Sequence, residues 1–284
     1  MEHDRYFENQ VAVVTGAAGT LCSAVSRELA RRGAKVALVG RTLSALEKVE
    51  GEIRQAGGTS LAVAADVTDA AAVEAAHRMI AERLGACRFL VNGAGGNQAA
   101  ATTATTVFEA DEVNASRSSE SHGFFDLDLV AVESVIRANT LGTLIPCQVF
   151  GRVMAAAGRG AILNFASMNS YLPLTRVPAY ALAKAGVVNF TQWLAAYLAP
   201  AGIRVNAVAP GFFVNERSRK ILMTPEGGLS PRGEKVLSHT PAGRFGEASD
   251  LLGCVCWLLN DEQAAFVTGV TVPVDGGFSA TSGV

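Results

Sequence analysis

The sequence predicts an α/β fold: a single domain built on a doubly wound sheet of about seven parallel strands, with helices on both faces. Two observations predict it. Short apolar, β-branched runs alternate along the chain with longer stretches rich in Ala, Leu, Arg and Glu at helical period, the pattern of a parallel sheet buried on both sides. The 284 residues, 49% of them hydrophobic, suit one large α/β core better than two small ones.

The strands and helices follow in order. Val11-Ala-Val-Val-Thr15 is the first strand, and helical period runs from Ala24 to Arg32; Lys35-Val-Ala-Leu-Val39 is the second, before a helix from Ser44 to Gln55. Ser60-Leu-Ala-Val-Ala64, a helix from about Ala70 to Arg83, and Arg88-Phe-Leu-Val91 continue the alternation. Later strands are Ala161-Ile-Leu-Asn-Phe165, Ile203-Arg-Val-Asn-Ala-Val208 and Val270-Thr-Val-Pro-Val274. Ligands of such sheets bind outside the carboxyl ends of the strands.

Two stretches break the rhythm. Residues 97–125 are rich in Ala, Thr, Ser and Asn without a clear apolar period, which predicts a surface insertion near the strand ends, ordered or mobile. Residues 212–244 mix polar residues with Gly and Pro, as in Thr224-Pro-Glu-Gly-Gly228 and Ser230-Pro-Arg-Gly233; they suit a substrate lid. A variable surface loop is the alternative for both.

Composition narrows the function. The net charge is -2, from 24 basic and 26 acidic side chains with no long run of either sign, so neither a nucleic acid nor an anionic membrane is an expected partner. No segment reaches about 18 uninterrupted apolar residues, and the start of the chain lacks the apolar core of a secretory signal. A cytoplasmic location is expected. The five cysteines, Cys22, Cys87, Cys147, Cys254 and Cys256, lack metal-ligand spacing and read as small buried hydrophobes in a reducing compartment. No metal is expected.

The chemistry concentrates in Pro178-Ala-Tyr-Ala-Leu-Ala-Lys-Ala-Gly186. Positions i and i+4 share one helix face, so Lys184 brings an ammonium close to the Tyr180 phenol, and a fixed positive charge favours the phenolate. Tyr180 then becomes a usable acid or base. Such a pair also arises by chance on amphipathic helices. Ser167 lies a short distance upstream.

Cofactor signals sit at successive strand ends. Gly16 and Gly19, with Thr20 and Leu21, join the first strand to the first helix, where backbone N–H groups meet a pyrophosphate at the positive helix end. Gly40-Arg41-Thr42 closes the second strand without an acidic residue to grip the two ribose hydroxyls of NAD, and Arg41 suits a 2′-phosphate. NADP(H) is therefore favoured, with NAD(H) the alternative. Asp66 and Val67 follow the third strand and Asn92-Gly-Ala-Gly-Gly96 the fourth, where adenine and ribose would lie.

Thr15-Gly16, Gly19, Asp66, Asn92-Gly-Ala-Gly95, Asn139, Ser167, Tyr180-x-x-x-Lys184 and Pro210-Gly211 resemble, in order and spacing, the short-chain dehydrogenases/reductases over nearly the whole chain. The resemblance implies a Rossmann-type fold. It implies Tyr180 as general acid/base, Lys184 lowering its pKa and binding the nicotinamide ribose, Ser167 holding the substrate oxygen, and Asn139 supporting a water-linked proton relay. Asn92, Ala94, Gly95, Pro210, Gly211 and Phe213 join the cofactor contacts, and a homotetramer is expected from the long helices carrying Asn139 and Tyr180.

Less generic segments, among them Gly123-Phe-Phe-Asp-Leu-Asp128, Ser167-Met-Asn-Ser-Tyr-Leu-Pro-Leu-Thr175, Pro210-Gly-Phe-Phe213 and His239-Thr-Pro-Ala-Gly-Arg-Phe-Gly246, are similar to one branch of that family, the D-mannonate oxidoreductases or fructuronate reductases. Cys22 stands where that branch has glycine. This resemblance implies reversible oxidation of D-mannonate to D-fructuronate, a small sugar acid. A carboxylate and several hydroxyls call for cationic and amide donors, for which Asn169 and Arg176 are the first candidates and Asn97, Arg217, Arg219, His239 and Arg244 the rest. Another polyol, a ketogluconate, a 3-oxoacyl substrate and a non-catalytic dinucleotide sensor remain as alternatives.

Overall fold

Every strand read from the sequence pairs into one parallel sheet. The computed structural model describes residues 5–113 and 122–281. The strands are β1 (Val11–Thr15), β2 (Lys35–Gly40), β3 (Thr59–Ala64), β4 (Cys87–Asn92), β5 (Gly160–Phe165), β6 (Ile203–Pro210) and β7 (Thr271–Val274), ordered β3-β2-β1-β4-β5-β6-β7. The chain builds outward from β1 to β3, then returns to lay β4 on the other side of β1. The order reverses there, which opens a crevice at the carboxyl ends.

Period-two alternation divides the core between two faces. Ala12 and Val14 of β1 pack with α1 (Thr20–Arg31), α2 (Leu43–Gln55) and α8 (Ala248–Leu259), through residues such as Leu29, Leu46 and Val255. Val11 and Val13 face the other way, against α3 (Ala70–Arg83), α4 (Leu129–Ala156) and α5 (Pro178–Leu198), meeting Ile80, Phe150 and Leu194. At the amino-terminal edge of the sheet, Asp261 of α9 (Asp261–Ala264) pairs with both Arg88 of β4 and Arg204 of β6. Among the described residues no helix is long and apolar enough to cross a membrane.

Helix starts explain themselves locally. Asp128 caps α4, its carboxylate accepting from the Val130 and Ala131 amides at 2.9 and 3.4 Å, and Pro178 opens α5, where its missing N–H costs nothing. The first helix begins at Thr20, four residues before the apolar period becomes visible at Ala24. Its first turn follows directly on the glycine turn, and within it Cys22 is buried in the core with Leu21 packed against the same cluster.

The described residues of both irregular stretches are folded. Among the described residues of 97–125 are single turns of 3-10 helix at Ala99–Ala101, Ala110–Val113 and Phe124–Asp126, the last two joined at the buried Glu112 carboxylate. It accepts from Thr105 Oγ1 at 3.2 Å, Glu109 N at 3.1 Å and Phe124 N at 3.2 Å. The stretch 212–244 forms two short helices, α6 (Glu216–Leu222) and α7 (Pro231–Ser238), the latter capped by Ser230 Oγ accepting from Gly233 N at 3.0 Å.

Cys22 fits because residue 93 is glycine. A Cβ on Gly93 would lie 2.0 Å from Cys22 Sγ, but 3.6 Å from Cys22 Cβ. The thiol therefore fills the space below the loop after β4, and α1 docks on that loop. Gly93→Ala is expected to destabilise the protein by about 2 kcal/mol through overpacking, and Cys22→Ala in the same chain to restore most of it. Thermal and urea melts of the single and double variants check this; equal losses in both would disprove the contact.

Candidate active site

The residues singled out for catalysis come together at the carboxyl ends of β4 and β5. Ser167 lies two residues past the end of β5, Tyr180 and Lys184 occupy the first two turns of α5, and Asn139 sits within α4. α5 is pinned to the Ser167 loop by Ser170 Oγ, which donates to the Lys184 carbonyl at 2.8 Å. Lys184 Nζ donates to the Phe165 carbonyl at 2.6 Å and stands 5.7 Å from the centre of the Tyr180 ring.

Asn139 holds the loop after β4. Its Nδ2 donates to the carbonyls of Gly96 and Val135, both at 2.8 Å, while Oδ1 accepts from Gly96 N at 3.2 Å. Both amide hydrogens are thus committed to backbone. These bonds tie the loop after β4 to α4.

One electrostatic expectation is corrected. Burial raises the Tyr180 phenol above its ordinary value of 10.0, and the hydrogen bond with Ser167 offsets this only in part. The Lys184 ammonium is turned to the Phe165 carbonyl, and burial pushes its own pKa down to about 8. Tyr180 is accordingly a neutral acid near pH 7.

Beside this cluster runs a cleft of about 440 Å³, lined by Gly16, Gly19, Arg41, Asp66, Val67, Ala94 and Gly95. Its features fit a dinucleotide. No side chain caps the first turn of α1, so the amides starting at Thr20 and Leu21 are available to a pyrophosphate. Gly16 has φ +65° and lies so close to Ala94 that a Cβ would come within 2.9 Å of its backbone. A hydrogen bond from the Thr68 backbone, followed by the charges of Arg41 and Arg137, holds the Asp66 carboxyl below its usual range despite some burial.

Two expected contacts lie elsewhere. Asn92 turns into the core, where Nδ2 donates to Asn164 Oδ1 at 2.9 Å and Cys147 Sγ at 3.1 Å. A place at a strand end does not reveal which face a side chain takes. Phe213 is buried against Gly246 and lines a separate cavity of about 150 Å³. Pro210 ends β6, and Gly211 packs against Asp275, to whose Cα a Cβ would come within 2.6 Å. Thr42, Thr68, Ser134 and Arg137 line the cleft without having been foreseen. Ser134, Arg137 and Ala138 share one face of α4, a spacing that carried no motif.

The substrate candidates divide. Asn169 is 2% exposed; Oδ1 accepts from Leu174 N at 2.6 Å, and the buried Nδ2 has no partner. Asn97 offers the complement, a buried Oδ1 without a partner. Arg176 has φ +75° and is tied to the insertion: its Nε donates to the Thr103 carbonyl at 2.8 Å, and Thr103 N to its carbonyl at 3.0 Å. Arg244 is spent on Asp250, at 2.7 and 2.8 Å, and His239 Nδ1 lies 2.8 Å from the Lys235 carbonyl. Arg219 is exposed, and the Arg217 side chain lies outside the described residues.

The short chain dehydrogenase family model matches residues 10–224. An uncharacterised oxidoreductase of Bacillus subtilis is 45% identical over 275 residues, 97% of this chain and 96% of its own length. A Haemophilus influenzae structure with bound NAD, assigned provisionally as a D-mannonate oxidoreductase, is 43% identical at a TM-score of 0.91, covering 98% of this chain and 97% of that one. A gluconate 5-dehydrogenase from Burkholderia cenocepacia, in complex with NADP and tartrate, is 27% identical at a TM-score of 0.81, covering 99% and 100%. With Ser167, Tyr180 and Lys184 gathered beside a dinucleotide cleft and relatives aligned end to end, the chain belongs to the short-chain dehydrogenases/reductases and is an NAD(P)-dependent oxidoreductase.

Proposed function

We propose that this enzyme interconverts D-fructuronate and D-mannonate with NAD(H). The observation that carries the substrate class is the Asn169 amide, a buried donor without a partner two residues from Ser167. A buried polar group of this kind costs about 1–3 kcal/mol unless a ligand satisfies it, and a polyhydroxy acid brings the oxygen. Arg176 on the same loop adds positive charge for the carboxylate. The bound NAD and provisional assignment of the Haemophilus influenzae relative support the same reading. A ketogluconate is the second reading, favoured by the Burkholderia cenocepacia relative.

NAD(H) replaces the NADP(H) preference drawn from Arg41. Arg41 does line the cleft, but its charge acts on Asp66 in the same crevice, which weakens its pull on a 2′-phosphate. The relative at 43% identity carries NAD.

The cofactor, when bound, supplies hydride exchange with the secondary alcohol carbon at nicotinamide C4. The pyrophosphate is assigned to the Gly16–Leu21 turn, the adenine end to Asp66 and Val67, and the nicotinamide ribose to Tyr180 and Lys184. In the reducing direction the neutral Tyr180 phenol donates its proton to the ketone oxygen as that oxygen gains charge. Ser167 Oγ hydrogen-bonds the same oxygen, so both groups act most strongly on charge present only in the transition state. Lys184 keeps a positive charge behind the phenol, and Asn139 keeps the Gly95–Gly96 backbone in place. The 212–244 helices close the substrate side as a lid.

The proposal extends to a cytoplasmic homotetramer. α5 exposes Leu182, Trp193 and Tyr197 along one face, with Trp193 and Tyr197 stacked at 5.0 Å. Exposed apolar patches of this kind mark interfaces.

Initial rates with D-fructuronate and D-mannonate, each with NAD(H) and NADP(H), are expected to favour NAD(H) and both acids over neutral sugars; no rate with either acid ends the substrate proposal. Tyr180→Phe should lower turnover about 10²–10⁴-fold while NAD affinity, measured by fluorescence titration, changes less than about twofold. Near-normal turnover would remove Tyr180 from its role. Light scattering should give four times the 29.5 kDa chain mass, and Trp193→Glu should lower it.

A further inference from the structure

We propose that His122 is a positioning residue: it holds a strap, residues 98–103, against the loop that leads into α5, and so fixes the turn of α5 that carries Tyr180. The proposal rests on the reading of Tyr180 as the proton donor.

The strap spans the two halves of the site. At one end Gln98 Nε2 donates to Ser134 Oγ at 2.8 Å, and Ser134 lines the dinucleotide cleft. Midway, Ala101 is buried with Ala131 and Val135 of α4 and Ala179 of α5, in a cluster against which Tyr180 packs. At the far end Thr103 N donates to the Arg176 carbonyl at 3.0 Å, and Arg176 Nε donates to the Thr103 carbonyl at 2.8 Å. Arg176 lies two residues before Pro178, which opens α5. Its backbone is left-handed at φ +75°, a conformation that a non-glycine residue keeps only where its surroundings enforce it. The two bonds to Thr103 enforce it here.

His122 holds Thr103 from the other side. In extended backbone the N–H and C=O of one residue point to one side of the chain, and those of its neighbours to the other. Thr103 turns both groups to Arg176, whereas Thr102 and Ala104 turn to His122. Nε2 of His122 lies 2.7 Å from the Thr102 carbonyl, and Ala104 N donates to the His122 carbonyl at 2.8 Å. A carbonyl only accepts, so Nε2 carries the hydrogen.

The chain leaving His122 is fixed in turn. Phe124 N donates to Glu112 Oε2 at 3.2 Å, and a Cβ on Gly123 would lie 2.0 Å from the same oxygen. Hydrogen bonds and short chain segments thus run from the buried Glu112 carboxylate through His122 and Thr103 to the start of α5. Loss of the Nε2 hydrogen frees the Thr102 carbonyl and lets Thr103 recede from Arg176. The first turn of α5 then loses a support on the side where Tyr180 packs, and a small misplacement of a catalytic group is costly in rate.

The test compares the full chain with His122→Leu, which removes the donor, and His122→Gln, whose amide keeps one at similar reach. Hydrogen exchange read by mass spectrometry is expected to quicken at least fivefold over residues 100–104 and 176–183 in His122→Leu while β1 and β6 stay as in the parent. In His122→Gln it should remain within twofold of the parent throughout. With D-fructuronate and NADH, His122→Leu should lower kcat about tenfold with NADH affinity changed less than twofold, and His122→Gln should recover at least half of the parent kcat. Unchanged exchange, acceleration spread through the whole sheet, an unchanged kcat, or no recovery in His122→Gln overturns the proposal. Near-normal turnover in Tyr180→Phe instead marks the failure of the proton-donor reading. If the parent does not turn over D-fructuronate, the substrate reading has failed, and the exchange pattern with its recovery in His122→Gln decides for or against the strap.

Discussion

Three helices converge on the four residues Gly93–Gly96, and the fold leaves almost no room for side chains there. A Cβ on Gly16 would meet the Ala94 backbone at 2.9 Å; one on Gly93 would meet Cys22 Sγ at 2.0 Å; one on Gly95 would meet Asn139 Oδ1 at 2.3 Å and Lys184 Nζ at 3.7 Å. The turn into α1, the middle of α4 and the second turn of α5 therefore all reach the end of β4. Because the sheet order reverses between β1 and β4, this junction is also where the crevice opens. The bare backbone brings the dinucleotide cleft and the Ser167–Tyr180–Lys184 group side by side.

The junction explains why the catalytic end of the sheet is not where stability resides. Lys184 is buried with one carbonyl partner, and burial pushes it down to about 8, so keeping its charge at neutral pH works against folding. Asn169 and Asn97 each bury a polar atom without a partner. Such costs have to be offset elsewhere. The amino-terminal edge offers part of the compensation, with Arg88 and Arg204 sharing Asp261 across β4 and β6, and the two apolar faces of the sheet supply the rest.

What the sequence disclosed follows the same division. All seven strands were legible to within about two residues at either end, since strands buried on both faces are continuous apolar runs. The residues proposed for catalysis were legible because Tyr180 and Lys184 are spaced to share a helix face and Ser167 follows a strand. The start of α1 was not, because the buried residues of its first turn, Cys22 and Ser23, are small and give no apolar period. Asn92 and Phe213 were assigned to the cofactor by position, whereas their side chains turn to Asn164 and Gly246. Whether 97–125 is ordered was left open by the sequence, because the structure of its described residues depends on one buried carboxylate, Glu112, and hydrogen bonds from backbone amides leave no compositional trace.

The residues proposed for substrate recognition lie in the parts that break the sheet rhythm. Asn97 follows β4, and Asn169 and Arg176 lie between β5 and α5; none of them belongs to a strand. Asn97 presents an acceptor and Asn169 a donor, both buried. A hydroxyl-rich ligand satisfies both, because each hydroxyl donates and accepts. The acyl tail of a 3-oxoacyl thioester would cover the same atoms with methylenes and leave two buried groups unpaired, a cost of about 1–3 kcal/mol each. That penalty is a factor of about ten or more per group, and it acts on substrate choice without touching the proton transfer at Tyr180.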